Sequence, residues 1–463
     1  MKIADLAEKR IGIWGAGKEG LAIARLLQTR LPGQPLAIMA DDPASLALVD
    51  ALGAEAAMSR HPGPITLELL RQFDVIIKSP GVSAYREEIL AAKSAGVQFT
   101  SGTNIWFAEN PSARTICITG SKGKSTTSSV TAHLLTQAGF ATVAAGNIGV
   151  PLVDLLLHPR PVEAHVVELS SYQLQDFTGT PEVSVLLNLF PEHLDWHHGE
   201  ANYFRDKCHI LQGGGGEAPL AVLNHADPNT QRHVVPTARA RFFNDPAGYH
   251  VRTGDIFRGA DLIARGADIP LLGEHNLINV CAALTAVEAF GAADKIAQAV
   301  AGLKTFRPLP HRLTIVGERD GVLFVDDSIA TIPQAAIAAV RAIGARPVTI
   351  IVGGYDRGLD QAQFAELLLG VPLHAIIALP DTGHALHQAL KEKLIAHPAS
   401  DSPHLHLVKH LEEAVTLAKA ITPAGGAVLL SPGAPSYNAF RNFEERGFIF
   451  GELAGFPDYR LHQ

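Results

Sequence analysis

Between Thr119 and Thr127 the chain reads Thr-Gly-Ser-Lys-Gly-Lys-Ser-Thr-Thr, glycines and lysines followed at once by hydroxyls. Gly120 and Gly123 allow the backbone to come close to an oxyanion, and with Ser121 and Lys122 between them the loop can aim several N–H groups at one phosphate. Lys124 can neutralise β- and γ-phosphates, and the hydroxyl of Ser125 or Thr126 is a hard oxygen ligand for Mg²⁺. This is the chemistry of an ATP loop. The general P-loop spacing puts a glycine six residues before that lysine, where this chain has Ile118, so the loop is a shortened variant. Further on, Glu168 and the run Pro191-Glu192-His193-Leu194-Asp195-Trp196-His197-His198 bring a carboxylate and imidazoles. Beside a phosphate loop these residue types coordinate Mg²⁺ or position a reacting carboxylate. A zinc reading of the histidines lacks an accompanying cysteine, and oxygen-rich Mg²⁺ chemistry suits the loop better. Lys207, in Ala201-Asn202-Tyr203-Phe204-Arg205-Asp206-Lys207, is placed by the reading on a helix that can face the same site.

The elements that must hold these groups are legible around them. Arg114-Thr115-Ile116-Cys117-Ile118 reads as a buried strand, and Val130-Thr131-Ala132-His133-Leu134-Leu135 has helical apolar spacing, so the loop joins strand to helix as anion binding at a helix N-terminus requires. His165-Val166-Val167-Glu168 is a strand delivering its carboxylate at the end, and Val183 to Phe190 reads as another buried strand. Before this region, Ile11-Gly12-Ile13-Trp14 runs into Gly15-Ala16-Gly17-Lys18-Glu19-Gly20, a G-x-G-x-x-G turn opening a helix, with Asp41-Asp42 ending the next strand. That pattern predicts a Rossmann-type nucleotide site and leaves its ligand open. Phe73 to Lys78 adds a strand that ends in Ser79-Pro80-Gly81. Gly213-Gly214-Gly215-Gly216 reads as a flexible loop. Gly273-Glu274-His275-Asn276-Leu277-Ile278-Asn279 leads into an alanine-rich helix whose amides can cap it or hold a base. After Phe306-Arg307-Pro308-Leu309-Pro310-His311-Arg312 the α/β alternation resumes, with strands that mostly end in polar or glycine turns: Asp326-Asp327-Ser328, Gly353-Gly354 and Ser431-Pro432-Gly433.

The fold class expected is α/β in three domains: residues 1–110 Rossmann-like, 111–309 built on the ATP loop, and 310–463 Rossmann-like again. The 463 residues suit that count. The balance of 38 basic against 46 acidic residues, net −8 with no basic run, argues against a nucleic-acid or anionic-membrane partner. Cys117, Cys208 and Cys281 are widely spaced and odd in number, which fits a reducing compartment. The start, Met1 to Arg10, is interrupted by charge where a signal peptide needs an apolar core, and no apolar run is read as long enough to span a membrane. A cytoplasmic protein is expected.

In this combination the chain resembles the Mur ligases of peptidoglycan synthesis, and within them the branch that joins glutamate to UDP-N-acetylmuramoyl-L-alanine. The likeness runs in order through Thr119–Thr127, Glu168-Leu169-Ser170-Ser171, His193-Leu194-Asp195, Gly273–Asn279, His311-Arg312, Asp327-Ser328 and Leu429–Gly447. It implies that ATP phosphorylates a substrate carboxylate to an acyl phosphate, which an amino acid's amine then attacks. It further implies Lys124, His193 and Lys207 as catalytic, with Ser125, Glu168, His193 and Lys207, the last carbamylated, around Mg²⁺. Asn279, Arg312 and Asp327 join the loop as ATP contacts. Gly15, Gly17, Lys18, Ser79, Pro80 and Gly81 face UDP, while Asn147, Ser170 and Gln173 meet the muramoyl peptide. The third domain takes the amino acid and closes on ATP. Its motif departs from the ordinary D-glutamate pattern, Asp-Ser-Lys-Ala-Thr, by reading Asp327-Ser328-Ile329-Ala330-Thr331. Arg357 is then expected to hold a carboxylate of the amino acid, with Thr331, Ser436 and Phe443 in the wall. The resemblance leans to the variant adding L-glutamate, whose product an epimerase inverts. The ordinary D-glutamate ligase is the alternative, and a folylpolyglutamate-synthetase-like ligase a more remote one, disfavoured because it has no need of the Gly15–Gly20 and Ser79–Gly81 turns. A dehydrogenase built on the first domain leaves the ATP loop without a role, and a nucleotide-switched module does not need Glu168, His193 and Lys207.

Overall fold

The computed structural model describes residues 1–52, 58–214, 217–235, 239–396, 402–437 and 439–462; Gly215 and Gly216 of the glycine run lie outside the described residues. The chain divides into two compact units, one of residues Met1–Ile269 and Leu277–Phe306, the other of Pro270–Asn276 and Arg307–Gln463.

The first unit holds two sheets. Five parallel strands lie in the order Met58–Pro62, Leu36–Ala40, Ile11–Trp14, Val75–Lys78, Gln98–Thr100. The strand Ile11–Trp14 is buried along its length, and the helix Lys18–Arg30 that follows packs Ala22, Ile23, Leu26 and Leu27 into the core beside it. Because its two neighbours come from opposite directions of the winding, the turns after Trp14 and Lys78 open at the switch point of the sheet, where α/β folds bind ligands.

In the nine-stranded sheet, Thr115–Thr119 lies parallel between Val183–Leu186 and Ala164–Glu168. All five of its residues are buried, which explains the β-branched run that marked it in the sequence. The apolar run Val183–Phe190 predicts a strand throughout, but the strand ends at Leu186. Asn188 is needed elsewhere, as the anchor of the phosphate loop described below. The far edge is antiparallel: Tyr249–Arg252, Asp255–Arg258 and Asp261–Ala264 form a meander that periodicity missed, because these strands are four residues long and half exposed. The signal for its first turn was Thr253-Gly254, both in the left-handed region at φ 50° and 80°, as a two-residue hairpin requires.

The second unit carries a six-stranded sheet ordered Thr314–Arg319, Val322–Asp326, Ala427–Leu430, Val348–Val352, Ala375–Ala378, His404–Leu407, parallel except for its first strand. Its helices cover both faces, giving two core clusters, one around Val340, Ile350 and Leu390 and one around Phe324, Val428 and Phe450. One stretch, Glu274–Thr305, is long and apolar enough by composition alone to cross a membrane, contrary to the reading above. Most of it (72% of its most apolar window) is buried inside the protein, and Gly291 at φ 96° interrupts its helical path, which is the profile of a core element.

Candidate active site

The phosphate loop is shaped before any ligand enters. Gly123 caps the helix Lys124–Gln137 at φ 86°, and a β-carbon there would press into the side-chain amide of Asn279, whose Cγ lies 3.1 Å from that point. Gly120 is equally confined, with Leu187 Cβ 2.8 Å from where a β-carbon would stand. Helical geometry leaves the N–H groups of the first turn, Lys124 to Thr126, without intrahelical acceptors, and Ser125 and Thr126 are buried there. Two members of the expected cradle have other work. The Ser121 N–H donates to Asn188 O at 3.0 Å and the Lys122 N–H to Asn188 Oδ1 at 2.9 Å, so neither N–H is available to a phosphate. Ser121 Oγ bonds Phe190 O at 2.8 Å and Tyr203 Oη at 2.9 Å, and the Lys122 ammonium pairs with Glu192. These residues brace the loop, and Lys124 and the helix start are what it presents. Lys124 Nζ itself donates to Gly120 O at 2.9 Å and Ser121 O at 3.1 Å.

Glu168, Asn147, His193 and Lys207 gather in the same unit as this loop. Glu168 ends its strand with no exposure; Oε1 accepts a 2.6 Å bond from Asn147 Nδ2, while Oε2 is buried with no hydrogen-bond partner among the described residues. Lys207, on the helix Glu200–Cys208, is 1% exposed and donates from Nζ to Gly120 O at 2.8 Å. Burial, and then the neighbouring Lys124 charge, hold its ammonium well below the usual lysine range, so the amine is readily neutral. His193 caps the short helix Leu194–His197 in the left-handed region at φ 54° and packs on Tyr172, ring centroids 5.2 Å apart. Burial lowers its pKa first, Glu192 opposes, and Lys124 and Lys207 lower it further. An orphaned carboxylate oxygen, a helix-start hydroxyl and an imidazole could serve as donors to a hard divalent cation. Among the described residues no group of three or more His, Cys, Asp or Glu side chains is placed to hold a metal ion, so a cation here would need oxygens from beyond these side chains.

The other histidine in reach is structural. His197 is fully buried, with Nδ1 2.7 Å from Asp206 Oδ2 and Nε2 3.0 Å from Ser171 Oγ, while Tyr85 Oη donates to Asp206 Oδ1 at 2.8 Å. Ser170 and Gln173 likewise satisfy each other in a capping box at the start of the helix Ser171–Leu174, and the rest of Gln173 is buried.

The two turns of the first sheet meet. Gly15, at φ 111°, leaves no room for a β-carbon beside Ser79, whose Oγ lies 2.6 Å from that point, and Ser79 N–H donates to Trp14 O at 2.8 Å. Gly17 caps the helix Lys18–Arg30, and Lys18 Nζ reaches across to Gly149 O at 2.8 Å, tying the turn to the loop that carries Asn147. Pro80 and Gly81 close the second turn, and Gly81 O accepts from Trp196 Nε1 at 3.0 Å. Asp41 is already held, by Arg86 at 2.8 and 3.0 Å and by Trp14 Nε1 at 3.2 Å, which removes the free acid a dinucleotide ribose would use.

In the second unit, Asp327 accepts from Ser431 Oγ at 2.7 Å and from Leu313 N at 3.2 Å, and burial pushes its carboxyl up to about 7. Arg312 is near enough to oppose that shift, and its Nε is buried with no hydrogen-bond partner among the described residues. His311 Nδ1 lies 2.6 Å from Asp326 Oδ2, which also accepts from Tyr459 Oη at 3.0 Å. Arg357 is exposed, its guanidinium 5.6 Å from the Tyr437 ring centroid, and Tyr355 stands 6.2 Å from that ring. Ser436 is buried, and Thr331, Ile329 and Phe443 are half-buried.

One residue in this unit escaped the sequence reading. Arg446, 1% exposed, donates from Nε to Ser328 Oγ at 3.0 Å and from Nη2 to Ser328 O at 2.8 Å and Ala434 O at 3.1 Å, and its Nη1 lies 3.2 Å from where a β-carbon on Gly354 would stand. It fastens together the loops that carry Thr331, Arg357 and Ser436. The only signal was a lone arginine amid the apolar spacing of the helix Phe443–Ala454. Arg446→Lys keeps the charge and loses the planar fork, so it should lower stability by roughly 1.5–3 kcal/mol. The unfolding midpoint in urea reads this directly; an unchanged midpoint would show that the three loops do not depend on the fork.

Comparison with known proteins adds an independent line. Three families match in sequence: the Mur ligase MurD-like N-terminal domain over residues 9–101, the Mur ligase middle domain over 118–287, and the Mur ligase glutamate ligase domain over 311–433. A UDP-N-acetylmuramoyl-L-alanine–L-glutamate ligase of Xanthomonas axonopodis pv. citri (strain 306) is 42% identical over 467 residues, covering 98% of this chain and 97% of its own. One of the same name from Micromonospora sp. is 40% identical, covering 99% and 100%. Among solved structures, MurF from Acinetobacter baumannii has a similar fold, at TM-score 0.60 and 18% identity over 92% of both chains.

Proposed function

The chain belongs to the Mur ligase family, and from that premise we propose that it joins L-glutamate to UDP-N-acetylmuramoyl-L-alanine with ATP, a step in building peptidoglycan precursors. The family's ligases form amide bonds at the expense of ATP. The observation that carries the reading is the grouping of the phosphate loop with the orphaned Glu168 carboxylate and the buried Lys207. The substrate's terminal carboxylate attacks the γ-phosphorus, the bond to the β-phosphate oxygen breaks, and ADP leaves. The glutamate amine then attacks the acyl carbon of the acyl phosphate, loses a proton, and expels inorganic phosphate. Lys124 and the N–H groups of the first helical turn stabilise the charge that moves off the γ-phosphate. Ser125, Glu168 and His193 would hold Mg²⁺, which when bound neutralises phosphate charge. Asn147 orients Glu168 through its 2.6 Å bond. Asn279 packs on the loop, and Arg312 and Asp327 supply further nucleotide contacts. Gly15, Gly17, Lys18 and Ser79–Gly81 take the uridine diphosphate at the switch point of their sheet, where a helix N-terminus favours pyrophosphate. The reaction belongs in the cytoplasm, where ATP is available.

The configuration of the amino acid rests on position 329. Isoleucine cannot pair with a carboxylate, and leaving that anion unpartnered costs on the order of 1–3 kcal/mol, so another cation must hold it. Arg357, exposed beside Tyr355 and Tyr437, is a bidentate donor approaching from another loop. Relatives that carry L-glutamate in their names support the same reading, and a product of that configuration calls for an epimerase acting on it next. Phosphate release from ATP, measured with UDP-N-acetylmuramoyl-L-alanine and each glutamate enantiomer, tests the proposal. Turnover with D-glutamate alone would return the chain to the ordinary D-glutamate ligases. In the same assay Arg357→Ala should raise KM for glutamate by about tenfold or more with little change in KM for ATP, as expected from losing a charge-assisted pair. Parallel rises in both constants would mean that Arg357 does not touch the amino acid.

A further inference from the structure

Beneath the Gly15–Gly20 turn lies a group of charges that the reaction does not use. Glu19 sits in the first turn of the helix Lys18–Arg30, and although the residue keeps some exposure, its Oε1 has none and no hydrogen-bond partner among the described residues. That oxygen lies 3.1 Å from where a β-carbon on Gly102 would stand, against the start of the helix Gly102–Glu109. The charged groups facing it are Lys78, at the end of the strand Val75–Lys78, and Asp176, just beyond the helix Ser171–Leu174. Lys78 is 1% exposed and already engaged: Nζ lies 3.3 Å from Asp176 Oδ2 and donates to Val82 O at 3.1 Å. Asp176 Oδ1 and Gln175 Nε2 are also buried with no hydrogen-bond partner among the described residues. Two carboxylates thus share one buried lysine, and the cluster carries one negative charge too many for its surroundings unless one carboxyl keeps a proton. Ser79, the neighbour of Lys78, and Gly15, at the head of the turn, are the groups read above as facing a diphosphate.

We propose that a nucleoside-diphosphate-linked substrate enters the Gly15–Gly20 turn together with a proton, which Glu19 takes up. The inference rests on the diphosphate reading of this turn. Bringing two phosphate charges alongside makes the surplus negative charge of the cluster worse, and protonating the one carboxyl without a cation relieves it. Burial pushes the Glu19 carboxyl up to about 7, with Lys78 opposing and Asp176 adding to the shift, so near neutral pH the proton is available at little cost.

The probe is UDP-N-acetylmuramoyl-L-alanine, whose diphosphate is esterified at both ends and so titrates nothing itself near neutrality. Its binding to the whole chain is followed by calorimetry in buffers of different ionisation enthalpy, without phosphate. Near pH 7.5 the wild-type protein should take up about 0.3 to 0.8 proton, and its Kd should rise by up to about tenfold per pH unit above that range. Glu19→Gln should bind with no uptake and a Kd flat in pH. Uptake of the same size in Glu19→Gln, or binding by the wild type with no uptake, would overturn the proposal. Absence of any binding would overturn the diphosphate reading, and the inference with it. Should Glu19→Gln fail to fold, Asp176→Asn serves: it leaves Lys78 to Glu19, which then ionises more readily, so uptake near pH 7.5 should fall by at least half, and unchanged uptake would again overturn the idea.

Discussion

Lys124→Ala should reduce phosphate release by at least about a thousandfold while the protein stays folded, because what the substitution removes is a charge aimed at the transferring phosphoryl group. In the structure the lysine donates to two carbonyls of its own loop, Gly120 O and Ser121 O, and its charge weighs against that of the neighbouring Lys207. Loss of the side chain therefore relieves repulsion as it removes bonds, and the melting temperature should move by no more than about 4 °C. The fold of the loop does not depend on it: Gly123, Asn279, Ser121 and Asn188 set the path of the backbone. Near-normal phosphate release in the folded variant would sink the ATP assignment, and a large fall in melting temperature would show the lysine to be structural instead. Lys124→Arg should recover little of the activity, since a planar guanidinium does not reproduce the compact charge of an ammonium.

Lys207→Ala should lower turnover by roughly a hundredfold or more, the scale of losing one group that orients charge at a transferring phosphoryl. Short carboxylic acids such as acetate should restore part of it. The expectation follows from burial. An amine 1% exposed and next to Lys124 is neutral far more readily than a surface lysine, and a neutral amine can attack CO₂, forming an N–C bond and releasing a proton to leave a carbamate. That would convert a second cation beside the loop into an anion of the kind that binds a hard divalent cation. A free acid can occupy the space left by alanine and stand in for the carbamate. Lys207→Ala that no acid rescues at any concentration, in a folded protein, would assign the lysine to its bond with Gly120 O and nothing more.

Much of this was written locally in the chain. The strands Ile11–Trp14, Leu36–Ala40, Val348–Val352 and Ala427–Leu430 fall where the apolar runs put them, because a strand buried on both faces has no alternation to misread and is bounded by its turn residues. The phosphate loop and the glycine turn were equally plain, since positive φ and close backbone approach admit few residues besides glycine. Short, half-exposed edge strands such as Thr314–Arg319 and His404–Leu407 were not legible, as their pairing depends on a neighbour already in place.

What the sequence alone determined, then, is which backbone turns exist and which reactive side chains stand at their ends: Lys124 after its glycines, Glu168 at a strand end, Lys207 on a helix. What only the tertiary structure decided is how each polar side chain is employed. Ser121 and Lys122 brace the loop against Asn188, and His197 is closed between Asp206 and Ser171. Arg446 links Ser328 to Ala434, and Glu19 is left the odd charge beside Lys78 and Asp176. The reason is that spacing along a chain records local backbone geometry, whereas a buried polar atom must find its partner wherever the fold supplies one. Here most of those partners lie tens of residues away, at distances in sequence over which no periodicity carries.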